Sequence, residues 1–281
     1  MCSFGDAVAV SDVVDHSLAR MIQGEASDLM IAPGFEPAAL EVLRKKKQGA
    51  YLIFQIDRDY EPPDIETREV FGFGLHQKRN TVSVTKELFG NPMTPGTVLS
   101  PGILETLVVA TIALKYAQSN SVCVAYDGQV IGMGAGQQSR VHCTRLACDK
   151  ADKWFLQQHP KTLGLRFTEG LKKPEKANIV DQYLLWDQLS DAERKRMLAG
   201  LSKEPVPIGA MERREWIAGF QGICLSSDAY IPFRDNIDRA SRSNVRFVAH
   251  AGNSSRDAEV TTAAEQYGMT MIHTGLRLFL H

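Results

Sequence analysis

Three short stretches hold residues whose type and spacing could do chemistry. In the first, a strand-like run Gln129-Val-Ile-Gly-Met133 feeds Gly134-Ala-Gly136, and Gln137, Gln138, Ser139 and Arg140 open a helix, with Ser139 the expected cap. Strand, glycine loop and helix start can together hold an anion. Glycine lets a ligand approach the backbone, and a helix N-terminus supplies free N–H groups and partial positive charge. Arg140 would add a bidentate cation suited to phosphate or carboxylate. The spacing is neither a Walker loop nor a dinucleotide fingerprint, so on pattern alone the glycines serve a sharp turn against a sheet. The second stretch is Asp235-Asn236, near the start of a helix that ends around Ser243, where capping is the simpler role. The third, Gly252-Asn-Ser-Ser255, again separates a strand from a helix and offers backbone N–H groups.

A metal reading attaches to the helix after Arg140, which carries His142, Cys143, Arg145, Cys148 and Asp149. His and Cys are zinc ligands. A zinc deaminase, however, needs a His-x-Glu and a Pro-Cys-x-x-Cys motif, and neither occurs in this sequence. These positions read as packed or surface helix, and no metal ligand is assigned.

The elements that must position these groups follow from local signals. Ser100 and Pro101 suit an N-cap and first helical position. Ile103, Leu104, Leu107, Val108, Thr111 and Ile112 then form one apolar stripe at helical spacing, running out at Gln118-Ser119-Asn120. Ser121 to Tyr126 reads as a strand turning at Asp127-Gly128, a strong hairpin signal. Upstream, strands at Ala7–Val10, Asp28–Ala32 and Tyr51–Ile56 alternate with helices, one capped by Ser11 and running toward Met21, one from Glu36 to Lys47 with a basic last turn. This alternation implies a layered α/β sheet with some parallel pairing. Arg68 to Gln77 reads as one strand, and Asn91-Pro-Met-Thr-Pro-Gly96 as a connector. Pro174–Gln188 and Ser190–Leu201 read as helices, with Arg194, Lys195 and Arg196 a solvated face and Trp186 and Trp216 core or interface anchors. Near the end, Val245–Ala249 and Thr270–His273 are strands around a helix from Asp257 to Tyr267.

Composition sets broad limits. At 281 residues the chain can bury one large core or two smaller ones, and 44% hydrophobic with 23% charged residues is ordinary for a globular protein. A net charge of -1 gives no electrostatic footprint for nucleic acid or an anionic membrane. No apolar run reaches transmembrane length, and Asp6, Asp12 and Asp15 interrupt any signal-peptide pattern. Five cysteines in a long chain point to reduced thiols and a cytoplasmic setting.

A resemblance joins these features. Lys115-Tyr-Ala-Gln-Ser-Asn-Ser-Val-Cys123, Gly128 through Ala147 and Asp149-Lys-Ala-Asp-Lys-Trp154 resemble the AICAR transformylase family, the formyltransferase half of a bifunctional purine-biosynthesis protein. Ser3-Phe-Gly-Asp6, Ser27-Asp28, Ile31-Ala-Pro-Gly34 and Ser226 through Ala240, with its Pro-Phe-Arg-Asp segment, are similar to further family motifs. The implied fold is α/β, with cytidine-deaminase-like α/β/α layers in two duplicated, interleaved subdomains. The first, incomplete, would take residues 1–65 and 157–218; the second would take 66–156 and 219–281.

The resemblance implies transfer of a formyl group from 10-formyltetrahydrofolate to the 5-amino group of AICAR. Carried over position by position, Gly5, Asp28, Asn120, Arg140, Tyr230 and Arg277 would bind the nucleotide, Asn120 at its carboxamide and the arginines at its charged groups. Tyr230 stands where the family commonly has Phe. Val141, Asp235, Ser254 and Ser255 would line the folate pocket. Asn120 and His281, which matches the family's final histidine, are the expected catalytic positions; Leu280 replaces a penultimate one. A homodimer and a monovalent cation near Ser121 and Asp228 are also implied, without zinc, nucleic acid or membrane.

Met1 falls at an interior position of the family. Its upstream Lys-His pair, in which the histidine is the general base, has no counterpart here, nor does the cyclohydrolase domain. Activity therefore calls for a partner chain supplying that segment or a longer gene. The alternative is a non-catalytic homologue that binds folate or nucleotide, or partners a full-length enzyme.

Overall fold

The structure is a computed structural model that describes residues 6–95 and 98–280. The chain divides into two compact units at Thr81/Val82. The expected site residues Gly5 and His281, and Gly96 of the connector, lie outside the described residues.

In the first unit, β1 (Asp6–Ala9), β2 (Ser27–Ala32) and β3 (Leu52–Gln55) pair parallel in the order β1-β2-β3. Helices α1 (His16–Gln23) and α2 (Pro37–Arg44) make the crossovers. Their packing buries Ala19, Ala39, Val42 and Leu43 with Met30 of the central strand. The parallel pairing expected from the alternation is present. The first helix starts later than the Ser11 reading, because Asp15 accepts from the Leu18 N–H and is the cap. The Arg68–Gln77 reading is corrected as well. The chain turns at Phe71 (φ 51°) and Gly72 (φ 79°), giving an antiparallel hairpin of β4 (Ile65–Val70) and β5 (Phe73–Lys78).

The second unit holds a five-stranded sheet. Helix α3 (Pro101–Lys115) is capped as expected, its Ser100 hydroxyl accepting from the Ile103 N–H at 3.4 Å. Its stripe is only partly inward: Leu107 and Thr111 are buried, whereas Ile112 is exposed. β6 (Val122–Tyr126) and β7 (Gln129–Gly134) form the expected hairpin, with Asp127 and Gly128 both at positive φ. Then come α4 (Arg140–Gln157), α5 (Pro160–Leu163), α6 (Lys173–Leu184), α7 (Asp191–Ala199) and α8 (Ala210–Ala218). β8 (Cys224–Ser227), α9 (Asp235–Arg242), β9 (Phe247–His250), α10 (Asp257–Gln266) and β10 (Thr270–His273) complete the unit. Strand order is β10-β9-β8-β6-β7, the first three parallel and the rest antiparallel.

Alternate residues on these strands feed two cores. Val122, Val124, Leu225, Val248 and Met271 point to the side of α4, α9 and α10. Cys123, Ala125, Cys224, Ala249 and Ile272 lie among the side chains of α3 and its neighbours. The unit is thus layered helix, sheet, helix, which is why β6 reads as an unbroken apolar run. Helices α5–α8 add a core around Tyr183, Met197 and Ile208. Trp216 anchors that core to α4, donating its indole N–H to the Phe155 carbonyl at 2.9 Å. Arg194 is not simply solvated: its guanidinium lies over the Trp186 ring, 5.3 Å from the centroid.

Candidate functional site

The glycine loop takes its form from helix packing. A Cβ on Gly132 would overlap the Ala147 carbonyl oxygen, and one on Gly134 the Cys143 carbonyl oxygen. The two glycines therefore let α4 lie directly on β7, and only Gly136, at φ 67°, uses glycine's conformational freedom. Ser139 occupies the N-cap position of α4 without a side-chain capping bond.

This close seating drives Arg140 into the interior. Its guanidinium forms a buried ion pair with Asp228, just beyond β8, and also donates to the Ser227 hydroxyl (3.1 Å) and the Ser121 carbonyl (3.3 Å). Through Nη2 it donates to Asn120 Oδ1 at 2.9 Å. Asn120 Nδ2 in turn donates to the Gln137 carbonyl at 3.1 Å. Asp228 Oδ2 accepts from both the backbone N–H (3.0 Å) and the hydroxyl (3.1 Å) of Ser121. The oxygens at Ser121 and Asp228 thus face a guanidinium and N–H or O–H donors.

The C-terminal stretch closes over the same network. Leu278 donates its N–H to the Asp228 carbonyl at 2.8 Å, and Ser119 and Leu280 exchange hydrogen bonds at 2.9 and 3.0 Å. This places the exposed Arg277 over the Tyr230 ring, 5.9 Å from its centroid. Asn120, Arg140, Tyr230 and Arg277 are therefore brought together around Asp228. Val141 is half-buried in the first turn of α4.

The remaining second-unit positions lie at the adjoining strand ends. Asp235 is exposed and accepts from Asn236 Nδ2 at 2.9 Å, while buried Asn236 accepts from the Thr144 hydroxyl at 2.8 Å. Asn236, more than Asp235, ties α9 to α4. Ser254 and Ser255 sit in the loop between β9 and α10. There Ser254 accepts from the Arg256 N–H at 3.2 Å, and the Arg256 guanidinium lies 4.8 Å from the Phe233 ring centroid. Asp28 belongs to the first unit, on the central strand, where it pairs with Lys47.

The His142 to Asp149 group separates, with His142 and Arg145 exposed and Cys143 and Cys148 buried. A different cluster emerges at the ends of the parallel strands. His250 and His273 are register partners on β9 and β10, and with Asp257 they bring potential ligand atoms within 4.8 Å of one another. His250 is fully buried, and its Nε2, the His273 Nε2 and Asp257 Oδ1 have no hydrogen-bond partner. The Ile231 N–H donates to His250 Nδ1 at 3.1 Å, so the neutral ring carries its own proton on Nε2. A metal-ligating histidine has the opposite pattern, donating from the second nitrogen. His250 thus offers the cluster an N–H and not a lone pair. Burial, with the neighbouring His273 ring, pushes its pKa down to about 4.

The pattern reading singled out Asn236 beside Asp235 but did not find Thr144 or this histidine pair. Two histidines 23 positions apart become neighbours only through the β9/β10 register.

Comparison with known proteins places the chain in a family. The family model for the AICARFT/IMPCHase bienzyme matches residues 1–150, more than half of the chain. The bifunctional purine biosynthesis protein PurH of Roseobacter denitrificans is 27% identical over 279 residues, covering 99% of this chain and 42% of that protein. The PurH proteins of Sorangium cellulosum (27% identical) and Lactobacillus acidophilus (26%) align over the same 99% of this chain and 41% of their own length. The chain thus spans about two-fifths of the relatives it matches, and it belongs to the AICARFT/IMPCHase bienzyme family.

Proposed function

We propose that this chain forms a formyltransferase site of purine biosynthesis, moving the formyl group of 10-formyltetrahydrofolate to the 5-amino group of AICAR to give FAICAR. The observation that carries the reading is the convergence of Asn120, Arg140, Tyr230 and Arg277 around Asp228 in a chain whose relatives are PurH proteins. Asn120 uses one acceptor site toward Arg140 and one donor toward Gln137. It keeps one of each for a carboxamide. Arg140, its charge balanced by Asp228, orients Asn120, while the exposed Arg277 meets the anionic end of the nucleotide. Tyr230 gives the imidazole an aromatic wall, and Val141, Asp235, Ser254 and Ser255 line the folate side.

In the reaction a bond forms between the 5-amino nitrogen and the formyl carbon, and the bond from that carbon to N10 of the folate breaks. The amine gives up a proton and N10 gains one. A positioned acid or base is worth about 10²–10⁴-fold in such a transfer, and His281 is the residue of this chain proposed for it. The reading includes the two interleaved cytidine-deaminase-like subdomains, a homodimer and a cytoplasmic setting. No helix among the described residues is long and apolar enough to cross a membrane.

A second reading is binding of AICAR and the folate without turnover. Titrating the chain with AICAR and 10-formyltetrahydrofolate, and following tetrahydrofolate release, separates the two. Turnover that His281→Ala abolishes supports transfer. Binding of both without turnover supports the second reading, and binding of neither overturns both.

A further inference from the structure

The parallel strands have a second end. Val245 and Arg246 immediately precede β9, and Met269 immediately precedes β10, so these residues lie at the edge of the sheet opposite the Ser254–Ser255 loop. A pocket of about 570 Å3 opens there, lined by Arg214, Ser241, Arg242, Arg246, Tyr267 and Met269 with Val245. None of these lining residues is acidic, so three guanidinium groups face one cavity on a chain whose net charge is -1.

Local structure accounts for only part of this concentration of charge. Arg246 Nη1 donates to the Tyr267 carbonyl at 3.0 Å, closing the end of α10. Arg242 is in the last turn of α9, where a cation complements the helix dipole. The dipole does not explain why α8 delivers Arg214 to the same cavity. The neighbouring carboxylate offsets only part of this charge: Asp238 acts electrostatically on Arg242, but it is also shared with Arg234, from which it accepts at 3.0 and 3.2 Å, and with the Tyr267 hydroxyl at 3.0 Å. Among the described residues, no hydrogen bond or ion pair fixes the guanidinium of Arg214 or Arg242.

We infer that this pocket is a binding site for a small phosphorylated anion of nucleotide size, separate from the formyltransfer site and independent of that reading. Guanidinium groups match phosphate oxygens bidentately. The cavity is of ordinary ligand-site size. Tyr267 and Met269 provide an apolar wall for the body that carries the phosphate.

Calorimetric titration with inorganic pyrophosphate and with ADP tests this, run in the Arg277→Gln chain so that the phosphate position proposed above does not contribute. Pyrophosphate should bind, more weakly as salt is raised. The double variant Arg214→Gln/Arg242→Gln should lose about 100-fold in affinity, tenfold for each charge-assisted contact of about 1.4 kcal/mol, with an unchanged melting temperature. Tighter binding of ADP than of pyrophosphate would assign the apolar wall to the ligand's body; equal or weaker binding of ADP would overturn the nucleotide-sized ligand. No binding of pyrophosphate at millimolar concentration, or equal binding by the double variant, would overturn the site itself.

Discussion

Arg140 and Asp228 stand opposed as a buried ion pair, their side chains 7% and 0% exposed, joining the start of α4 to the end of β8. Removing one partner of such a pair strands a charge in the interior and costs about 3–5 kcal/mol. Asp228→Asn should therefore destabilise the second unit by roughly that amount. Adding Arg140→Met removes the stranded cation, and Asn at 228 can still accept from Ser121. The double variant should be more stable than Asp228→Asn alone, as urea unfolding of the set will measure. A double variant that is weaker still would mean that Arg140 contributes chiefly through its bonds to Asn120 and Ser227.

The seating of α4 on β7 gives a second prediction. Gly134→Ala places a methyl group against the Cys143 carbonyl, where only backbone movement can relieve the overlap. Such overpacking costs about 1–3 kcal/mol, and a rigid backbone neighbour places it at the upper end. Gly128→Ala, in open space at φ 71°, should cost about 1 kcal/mol from backbone strain alone. Thermal unfolding of the two variants should rank them in that order. Because Gly134 also sets the depth of Arg140, its substitution should weaken AICAR binding, whereas Gly128→Ala should leave it unaffected.

How far the sequence revealed this arrangement differs from part to part. The β6–β7 hairpin and the α3 cap were legible, because Asp127-Gly128 and Ser100-Pro101 act through local backbone geometry. The parallel sheet of the first unit was legible from its alternation. The β4–β5 hairpin was not. Its turn, at Phe71-Gly72, looks like the interior of a strand, since a bulky residue at positive φ is a poor turn signal. At the site, Arg140 and Arg277 could be named, but not their different surroundings, one buried on Asp228 and one exposed over Tyr230. That difference depends on close packing at Gly132 and Gly134, which have the same one-letter code as glycines that merely turn. The Arg214 pocket was invisible for a related reason: its lining comes from α8, α9, the end of α10 and two strand starts.

Cysteine reactivity offers a prediction that needs no ligand. Burial pushes the thiols of Cys123 and Cys148 up to about 12, and that of Cys224 up as well. Cys143 is raised in the same direction by burial, though the nearby Arg140 guanidinium opposes it. The thiolate is the reactive form. In a Cys2→Ser background, the native chain should give no fast reaction with a thiol-disulfide reagent at pH 8, and four thiols should react in urea. A fast-reacting thiol in the native state, mapped to Cys143, would show the start of α4 opening and with it the Arg140 network.

His250 makes stability depend on pH. In the folded chain its pKa is about 4, against about 6.5 for an unfolded histidine, because the buried ring between Ile231 and His273 resists protonation. His273, Asp257 and Arg140 are the charged or titratable groups acting on it, and only Asp257 favours the cation. Between these two values the unfolded state binds a proton that the folded state refuses. This group's contribution is therefore complete above about pH 6.5 and is lost progressively as pH falls toward 4. At 1.36 kcal/mol per unit, a difference of that size corresponds to about 3 kcal/mol. His250→Asn can still accept the Ile231 N–H but does not titrate, so its stability should lie flatter across this interval. Urea midpoints at pH 7.5, 6.0 and 5.0 for both chains measure the difference. Parallel curves would place the acid sensitivity on other groups and leave His250 with a packing role alone.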